Sequence, residues 1–480
     1  MKRKFITNLL LLLFLNVLIK PFWIFGIDVT VQNVVGDESY GLYFSLLGFS
    51  MIMNILLDLG ITNFNNKNIA QNHQLLKKHI SNIVGLKFLL AGVYAVVCIS
   101  VALIIGYRKV EFHLLLFLIL NQFLISFNFY LRSNISGLQL FRTDSILSVL
   151  DRSLMIIICS VLLFTNITNH IFRIEWFVYS QSAAYLLTCL ITFGVVLIHT
   201  GKLKFQFDRR FFLVFLKKSY PYALLILLMS FYNRIDSVML ERLLPNGKDQ
   251  AGIYAHAFRL LDAVSMFGVL FAGLLLPIFA RMFKQKEEIG SMVQLSFLLL
   301  FVPSLIICLS SGFYGLEIMK LLNYSHPEIS ASIFRLLMVS FLGIATTYIF
   351  GTLLTANGSI RRLNQMAIVG MVLNIGLNLI LIPHLQALGS AWASLATQLF
   401  TAIAQTILAV IILKLKVNYT VIGRLVVFIA FVFGAGFLSR QIENWYIGFF
   451  SMAIAGMLFA FTIKLINLKA LSGIIRNEHS

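Results

Sequence analysis

Apolar residues run in blocks of about 20 along nearly the whole chain, from Ile6 to Ile466, with short polar stretches between them. A helix needs about 20 apolar residues to cross the hydrocarbon of a bilayer, so the pattern predicts about fourteen spans. They fall near residues 6–31, 40–63, 81–106, 113–133, 146–165, 175–199, 219–240, 252–278, 291–312, 331–355, 364–383, 389–413, 420–438 and 445–466. The separating loops at 107–112 and 384–388 are very short. No stretch is long enough for a soluble domain. The expected fold class is an all-α integral membrane protein with about 14 transmembrane helices.

Composition agrees. Of the 480 residues 59% are hydrophobic and 12% charged, and the mean hydropathy is +0.90. A soluble domain carries roughly twice that charged fraction. Cys98, Cys159, Cys189 and Cys308 are widely spaced inside apolar runs, without a CxxC or Cys/His cluster. They read as small apolar core residues, and no metal or cofactor is expected.

The net charge of +19 would suggest nucleic acid in a soluble protein. Here topology accounts for it, because Lys and Arg collect in cytoplasmic loops. With the N-terminus placed inside, about 24 of the 38 Lys and Arg fall in inward-facing segments and about 7 in outward-facing ones. That bias predicts an even number of spans with both termini cytoplasmic. The basic start, Met1-Lys2-Arg3-Lys4, leads into an apolar run reaching about Val31, too long for the core of a cleavable signal.

The segment from His199 to Lys218 alternates basic and aromatic residues, which suits an amphipathic stretch on an anionic membrane face. It divides the chain into an N-terminal six-helix lobe (1–200), a cytoplasmic linker (201–218), a C-terminal six-helix lobe (219–413), and two additional helices with a tail (414–480). The halves look related. Asp28 is followed by Tyr40-Gly41-Leu42-Tyr43, and Asp236 by Ala251-Gly252-Ile253-Tyr254, with Asp-to-Tyr separations of 15 and 18. Six spans separate the copies, so they share an orientation, as in parallel transporter repeats.

Ionisable residues within spans are costly and face a cavity or a partner. This chain places Lys20, Asp28, Asp58, Lys87, Asp151, Arg152, Arg234, Asp236, Arg259, Asp262 and Arg335 there. Lys20 lies mid-span beside Pro21, where proline removes a helical hydrogen bond and bends the helix. It is a candidate for an anionic headgroup. Lysine offers a point charge and arginine a bidentate fork, so the candidate substrate-binding set is Lys20, Lys87, Arg152, Arg234 and Arg259. Asp28, Asp58 and Asp236 are candidates for ion coupling or a gate, with helix-end anchoring as the structural reading of Asp28 and Asp236. Arg259 and Asp262, three apart, suit a local ion pair. Asp151 and Arg152, adjacent, are expected to point apart, and Arg335 to snorkel at the outer mouth of its span. There is no Walker A loop, G-x-S-x-G or H-E-x-x-H, so the chain does not read as an enzyme.

Three stretches carry a family resemblance. They are Gly36-Asp-Glu-Ser-Tyr-Gly-Leu-Tyr43 with Asp58-Leu59-Gly60; Asp236-Ser-Val-Met-Leu240 with Ala251-Gly-Ile-Tyr-Ala-His-Ala257; and Gly351-Thr-Leu-Leu-Thr-Ala-Asn-Gly-Ser-Ile-Arg-Arg362 through Asn374, Asn378 and Pro383 to Leu388-Gly-Ser-Ala-Trp-Ala-Ser-Leu-Ala-Thr397. Over about residues 5–465 the chain resembles the bacterial polysaccharide flippase family (Wzx-type; O-antigen or capsule) of the multidrug/oligosaccharidyl-lipid/polysaccharide exporter (MOP) superfamily. The resemblance implies two pseudo-symmetric six-helix lobes in a V. It also implies transport of an undecaprenyl-pyrophosphate oligosaccharide from the cytoplasmic to the periplasmic leaflet of the inner membrane, driven by an ion gradient or the membrane potential. Membrane lipids, a polysaccharide polymerase and chain-length machinery would be partners, and a monomer is the default.

Three rivals remain at this level. A multidrug exporter of the same superfamily would favour acids in its cavity, and the spans hold no excess of acid. A lipid II flippase would carry several arginines in the first two spans, where Lys20 is the only cation. A membrane polymerase or ligase would show a large outer loop, whereas the outer loops here are all under roughly 20 residues.

Overall fold

A computed structural model describes residues 15–16, 18–62, 65, 69, 75–138, 140–165, 172–200, 209–416 and 418–466. Among these, twelve helices are long and apolar enough to cross a membrane, and there are no strands. They are α1 (Leu18–Ile52), α2 (Leu75–Ile105), α3 (Lys109–Gly137), α4 (Phe141–Phe164), α5 (Ile174–Thr200), α6 (Arg209–Leu243), α7 (Gly247–Gln285), α8 (Gly290–Leu321), α9 (Pro327–Ala356), α10 (Ile360–Leu413), α11 (Tyr419–Ser439) and α12 (Trp445–Thr462).

The fourteen expected runs become twelve helices because two pairs of spans join with only a local break. In α1 the break is Gly36, at φ 78 and ψ 168, a conformation open to glycine and strained for other residues. In α10 it is Gln386, at φ 53 and ψ −133, three residues after Pro383, whose ring cannot donate to the helical ladder. The expected short loop at 107–112 shrinks to Gly106–Arg108.

The second expected span runs through residue 63, but α1 ends at Ile52. A 3-10 turn, Asn54–Leu57, follows, then a reversal with Leu59 at φ 47 and Gly60 at φ 85. In the low-dielectric interior a broken helix must satisfy its freed carbonyls from within the protein. Lys87 on α2 does so, donating to Leu57 O at 3.0 Å. Downstream of Pro21, α1 loosens into a π-helical turn at Trp23–Asp28, so the bend expected beside Lys20 takes the form of a π-bulge, a device frequent at functional sites.

The chain divides into two compact units, residues 1–252 and 253–480. The division expected from the basic segment was 201–218, of which 201–208 lie outside the described residues. The compact boundary falls later because α6 packs along α1, with Gly48 against Arg234 O and Ser237. In unit 1, α5 lies between α3 and α4, and α1 packs on both α3 and α6. In unit 2, α8, α9 and α10 pack in sequence, and α11 and α12 dock as a pair on α8. Leu298, Val302, Ile306 and Tyr314 of α8 meet Phe428, Val432 and Met452 there. Arg440 and Glu317 form an ion pair at the edge of that contact, and Tyr314 donates to Ser439 at 2.8 Å.

Candidate functional site

The candidate residues separate into three groups in unit 1 and one in unit 2. The first group surrounds the π-bulge of α1. Trp23 and Phe177 of α5 stack with centroids 5.7 Å apart, and Tyr43 meets Phe177 edge-on at 5.3 Å. These rings form a wall against which Arg152 of α4 lies. Its guanidinium is 5.4 Å from the Trp23 ring and 5.9 Å from Tyr185, within cation–π range. Arg152 Nε lies 3.8 Å from Asp151 Oδ2, with both side chains between a fifth and a third exposed. Adjacent residues on a helix are expected to point apart, yet these two side chains come within ion-pair distance. Lys20, half-buried, lies within the electrostatic reach of Arg152, Asp151 and Arg132. Asp28, the last residue of the π-bulge, accepts from Tyr40 Oη at 3.3 Å. Gln181 donates to Tyr43 Oη at 2.8 Å, and Tyr43 and Asp28 both lie within the field of Arg152.

The structure thus brings Lys20, Asp28 and Arg152 into one polar group between α1, α4 and α5. Sequence reading missed Tyr40, Tyr43, Gln181 and Tyr185. Tyr40 and Tyr43 were visible as repeat landmarks, and Gln181 as a polar residue within an apolar run, but nothing in their spacing announces a shared partner.

The second group is the pair Asp58 and Lys87. Lys87 is 1% exposed. It meets Asp58 in a short ion pair, Leu57 O at 3.0 Å and Ser126 Oγ at 3.2 Å. An ammonium has three donors, and here all three are used. Asp58 also accepts from Thr62 N at 3.3 Å. Lys87, expected as a substrate cation, is engaged here at the broken end of α1.

The third group lies on α6. Asp236 is 1% exposed and Arg234 is half-buried. Both sit where α6 packs on α1, since Ser237 and the Arg234 carbonyl border Gly48.

In unit 2, Arg259 is 7% exposed, with Tyr324 and Asp262 as its polar electrostatic neighbours. One turn earlier on α7, His256 stacks on Tyr324 at 3.8 Å and its Nδ1 lies 2.8 Å from Ser330 Oγ. Arg335 reaches Gly312 O at 3.0 Å from an exposed position, in keeping with a snorkelling side chain. A groove of about 490 Å³ runs along α11 and α12, lined by Phe431, Gly434, Leu438, Met452 and Ala455 among others. Among the described residues no group of His, Cys, Asp and Glu is arranged to hold a metal ion.

Twelve apolar helices with charged groups at depth define a multi-pass membrane protein, and its fold is that of the MOP-superfamily transporters. The family is narrower: residues 6–283 match the polysaccharide biosynthesis protein family, and the chain belongs to it. Among solved structures it is similar to the lipid II flippase MurJ in an inward closed conformation, with TM-score 0.71, 13% identity, and 95% of this chain and 98% of that chain covered. A multidrug resistance MATE family transporter in an inward-facing conformation superposes with TM-score 0.61 at 16% identity, covering 81% and 93%. A MOP superfamily transporter from Pyrococcus furiosus gives 0.55 at 14%, covering 85% and 94%. Among curated proteins no sequence match is found.

Proposed function

We propose that the chain flips an undecaprenyl-pyrophosphate-linked oligosaccharide, an O-antigen, capsule or exopolysaccharide repeat unit, from the cytoplasmic to the periplasmic leaflet of a bacterial inner membrane. The observation that carries this reading is the polar group around the α1 bulge. Two cations, Lys20 and Arg152, share Asp151 at the depth of the spans. A pyrophosphate would compete with the carboxylates for both cations, Lys20 offering a point charge and the guanidinium, braced on Trp23 and Tyr185, its fork. The apolar groove on α11 and α12 has the lining for a hydrocarbon chain.

In this reading Lys20 and Arg152 hold the headgroup, with Arg234 and Arg259 as further cations on its path. Lys87 is assigned to the Asp58 pair. Asp28, hydrogen-bonded to Tyr40 and in the field of Arg152, is the first choice for ion coupling or gating. Asp58 and Asp236 are the others. The two six-helix lobes, 1–200 and 219–413, alternate access by rocking, with the 201–218 segment between them, residues 414–480 appended and both termini in the cytoplasm. The protein acts as a monomer, supplying its product to a polymerase and chain-length machinery.

The test is flipping in proteoliposomes. A short undecaprenyl-pyrophosphate oligosaccharide is loaded in one leaflet, and its exposure to an outside glycosidase is followed with and without an ion gradient. Protein-dependent exposure supports the reading. Exposure of lipid II alone would move the assignment to a peptidoglycan precursor. Transport of a cationic dye with no glycan exposure would move it to a drug exporter.

A further inference from the structure

Where α3 begins and α6 hands over to α7, four charged side chains and a tyrosine converge within unit 1. Glu111, on the first turn of α3, lies 3.6 Å from Arg242 Nη2 and 3.4 Å from Lys248 Nζ. Arg242 Nε lies 2.7 Å from Glu241 Oε2, and its guanidinium sits 3.7 Å above the Tyr107 ring. The Glu111 carboxylate also accepts from Arg108 N at 2.6 Å, closing the capping box of α3. Two acids and two bases make the cluster neutral. The Glu111 side chain is 10% exposed and the Glu241 side chain 3%.

Such a cluster is poor at building stability for its own sake, because the desolvation of buried ions consumes most of their attraction. Its bonding here is incomplete as well. Arg242 Nε and Nη2 and the Tyr107 hydroxyl are buried without an aligned hydrogen bond, despite their close charged neighbours. The seam beside it is a close approach of small residues. Along α1 and α6–α7 it is made of Gly41, Gly48, Ser237 and Gly252, with Gln32 donating to Gly252 O at 3.0 Å. The cluster also lies at the helix ends, where separated charges would meet water and lose little.

We propose that Glu111, Arg242, Lys248 and Glu241 form a charge latch. It fastens the α6–α7 hairpin to α3 in the state described here and releases when this end of unit 1 opens. The inference rests on the reading of the chain as an alternating-access flippase, which places this end on the periplasmic side. Nothing in the latch touches the Lys20 and Arg152 group, so the two ideas fail separately.

The test is a distance measurement that needs no substrate. Spin labels are placed at the exposed positions Lys109→Cys and Asn246→Cys; the four native cysteines are buried. Double electron–electron resonance is recorded in nanodiscs. Glu111→Gln keeps the capping box, since glutamine also caps at this position, but removes both ion pairs. It is expected to enlarge the long-distance population about fivefold or more, and Arg242→Gln to do the same. Lys248→Met, at the most exposed member of the cluster, serves where a variant at the buried pair does not accumulate. Distance distributions unchanged in every folded variant would overturn the latch, even if the protein flips lipid-linked glycan. A latch that responds in a protein that flips nothing would overturn the flippase reading and leave the latch in place.

Discussion

Gly41 and Gly252 pack backbone against backbone: a Cβ on Gly41 would overlap the Lys248 carbonyl and the Gly252 amide, and a Cβ on Gly252 would overlap the Asp37 carbonyl. These are the glycines that the sequence repeat pairs. Each lies in the stretch that follows its copy's aspartate, Asp28 or Asp236, and the two glycines meet within unit 1. The close approach explains why residues as far apart as Gln32 and Gly252 share a hydrogen bond.

Adding one methyl at either glycine should be felt at once. Gly41→Ala and Gly252→Ala force backbone apart where no side chain can yield, and overpacking of this kind costs about 1–3 kcal/mol. Both should lower the thermal midpoint of the purified protein. Gly273→Ala, where nothing lies within 4 Å of the added atom, should leave it unchanged. Equal midpoints for all three would show that the α1–α7 contact is looser than described.

The Asp58–Lys87 pair predicts an asymmetric response. Lys87→Met leaves a carboxylate without its cation and Leu57 O with Ser126 Oγ as its remaining donor. Breaking one side of a buried ion pair costs about 3–5 kcal/mol, so this variant should be much less stable in thermal unfolding. Asp58→Asn combined with Lys87→Met removes both charges and should recover part of the loss. A Lys87→Met protein that is fully stable but transports with a raised KM would instead return Lys87 to the substrate path.

How much of this was legible in the sequence follows from the physics of each signal. Apolar runs of span length are unmistakable because lipid excludes the alternatives, and they give the all-helical fold. Helix breaks are legible only where glycine or proline marks them. Gly36 and Pro383 do so, but the end of α1 at Ile52 falls where no glycine or proline stands until Gly60, and Lys87 of another helix caps the freed Leu57 O. In the same way Lys20 stood out because it is alone and mid-span, and it does lie near Arg152. Lys87 looked identical by that criterion. What separates them is a partner 29 residues away in sequence, and no local pattern carries that. No local pattern pairs Glu111 with Arg242, since their contact depends on the approach of α6 to α3.

If the α1 bulge holds a pyrophosphate, its two cations should differ in how they tolerate exchange. Arg152→Lys keeps the charge but loses both the planar fork and the contact with Trp23 and Tyr185. Flipping should fall about tenfold or more, with the protein still folded. Lys20→Arg should retain most activity, and Lys20→Ala should cripple it. Full activity in Lys20→Ala would remove Lys20 from the site.

The orientation of the whole scheme can be checked independently of any substrate. The excess of Lys and Arg in alternate loops predicts Leu413 on the cytoplasmic side and the Gly106–Arg108 and Pro245–Asn246 turns on the opposite one. Reporter fusions should follow: a periplasm-active reporter silent after Leu413 and active after Asn246, and a cytoplasm-active reporter the reverse. The span count makes this a sharp test. Gly36 and Gln386 break helices without ending them. A chain that truly crosses at each break has fourteen passes, and one that merely kinks at both has twelve. Either even number leaves the termini on the same side, but the two schemes disagree between the breaks. Fusions after Ser39 and after Leu379 therefore carry the decision. Fourteen crossings require the chain on either side of Gly36 to run in opposite senses across the membrane, so that reporters after Ser39 and after Thr62 report opposite faces. If instead the kinked helices cross only once, position 62 and position 18 lie on opposite faces, and the charge-derived side of every loop between Thr62 and Gln386 is inverted. That result would turn the Glu111 latch toward the cytoplasm and reverse the direction in which the headgroup meets it.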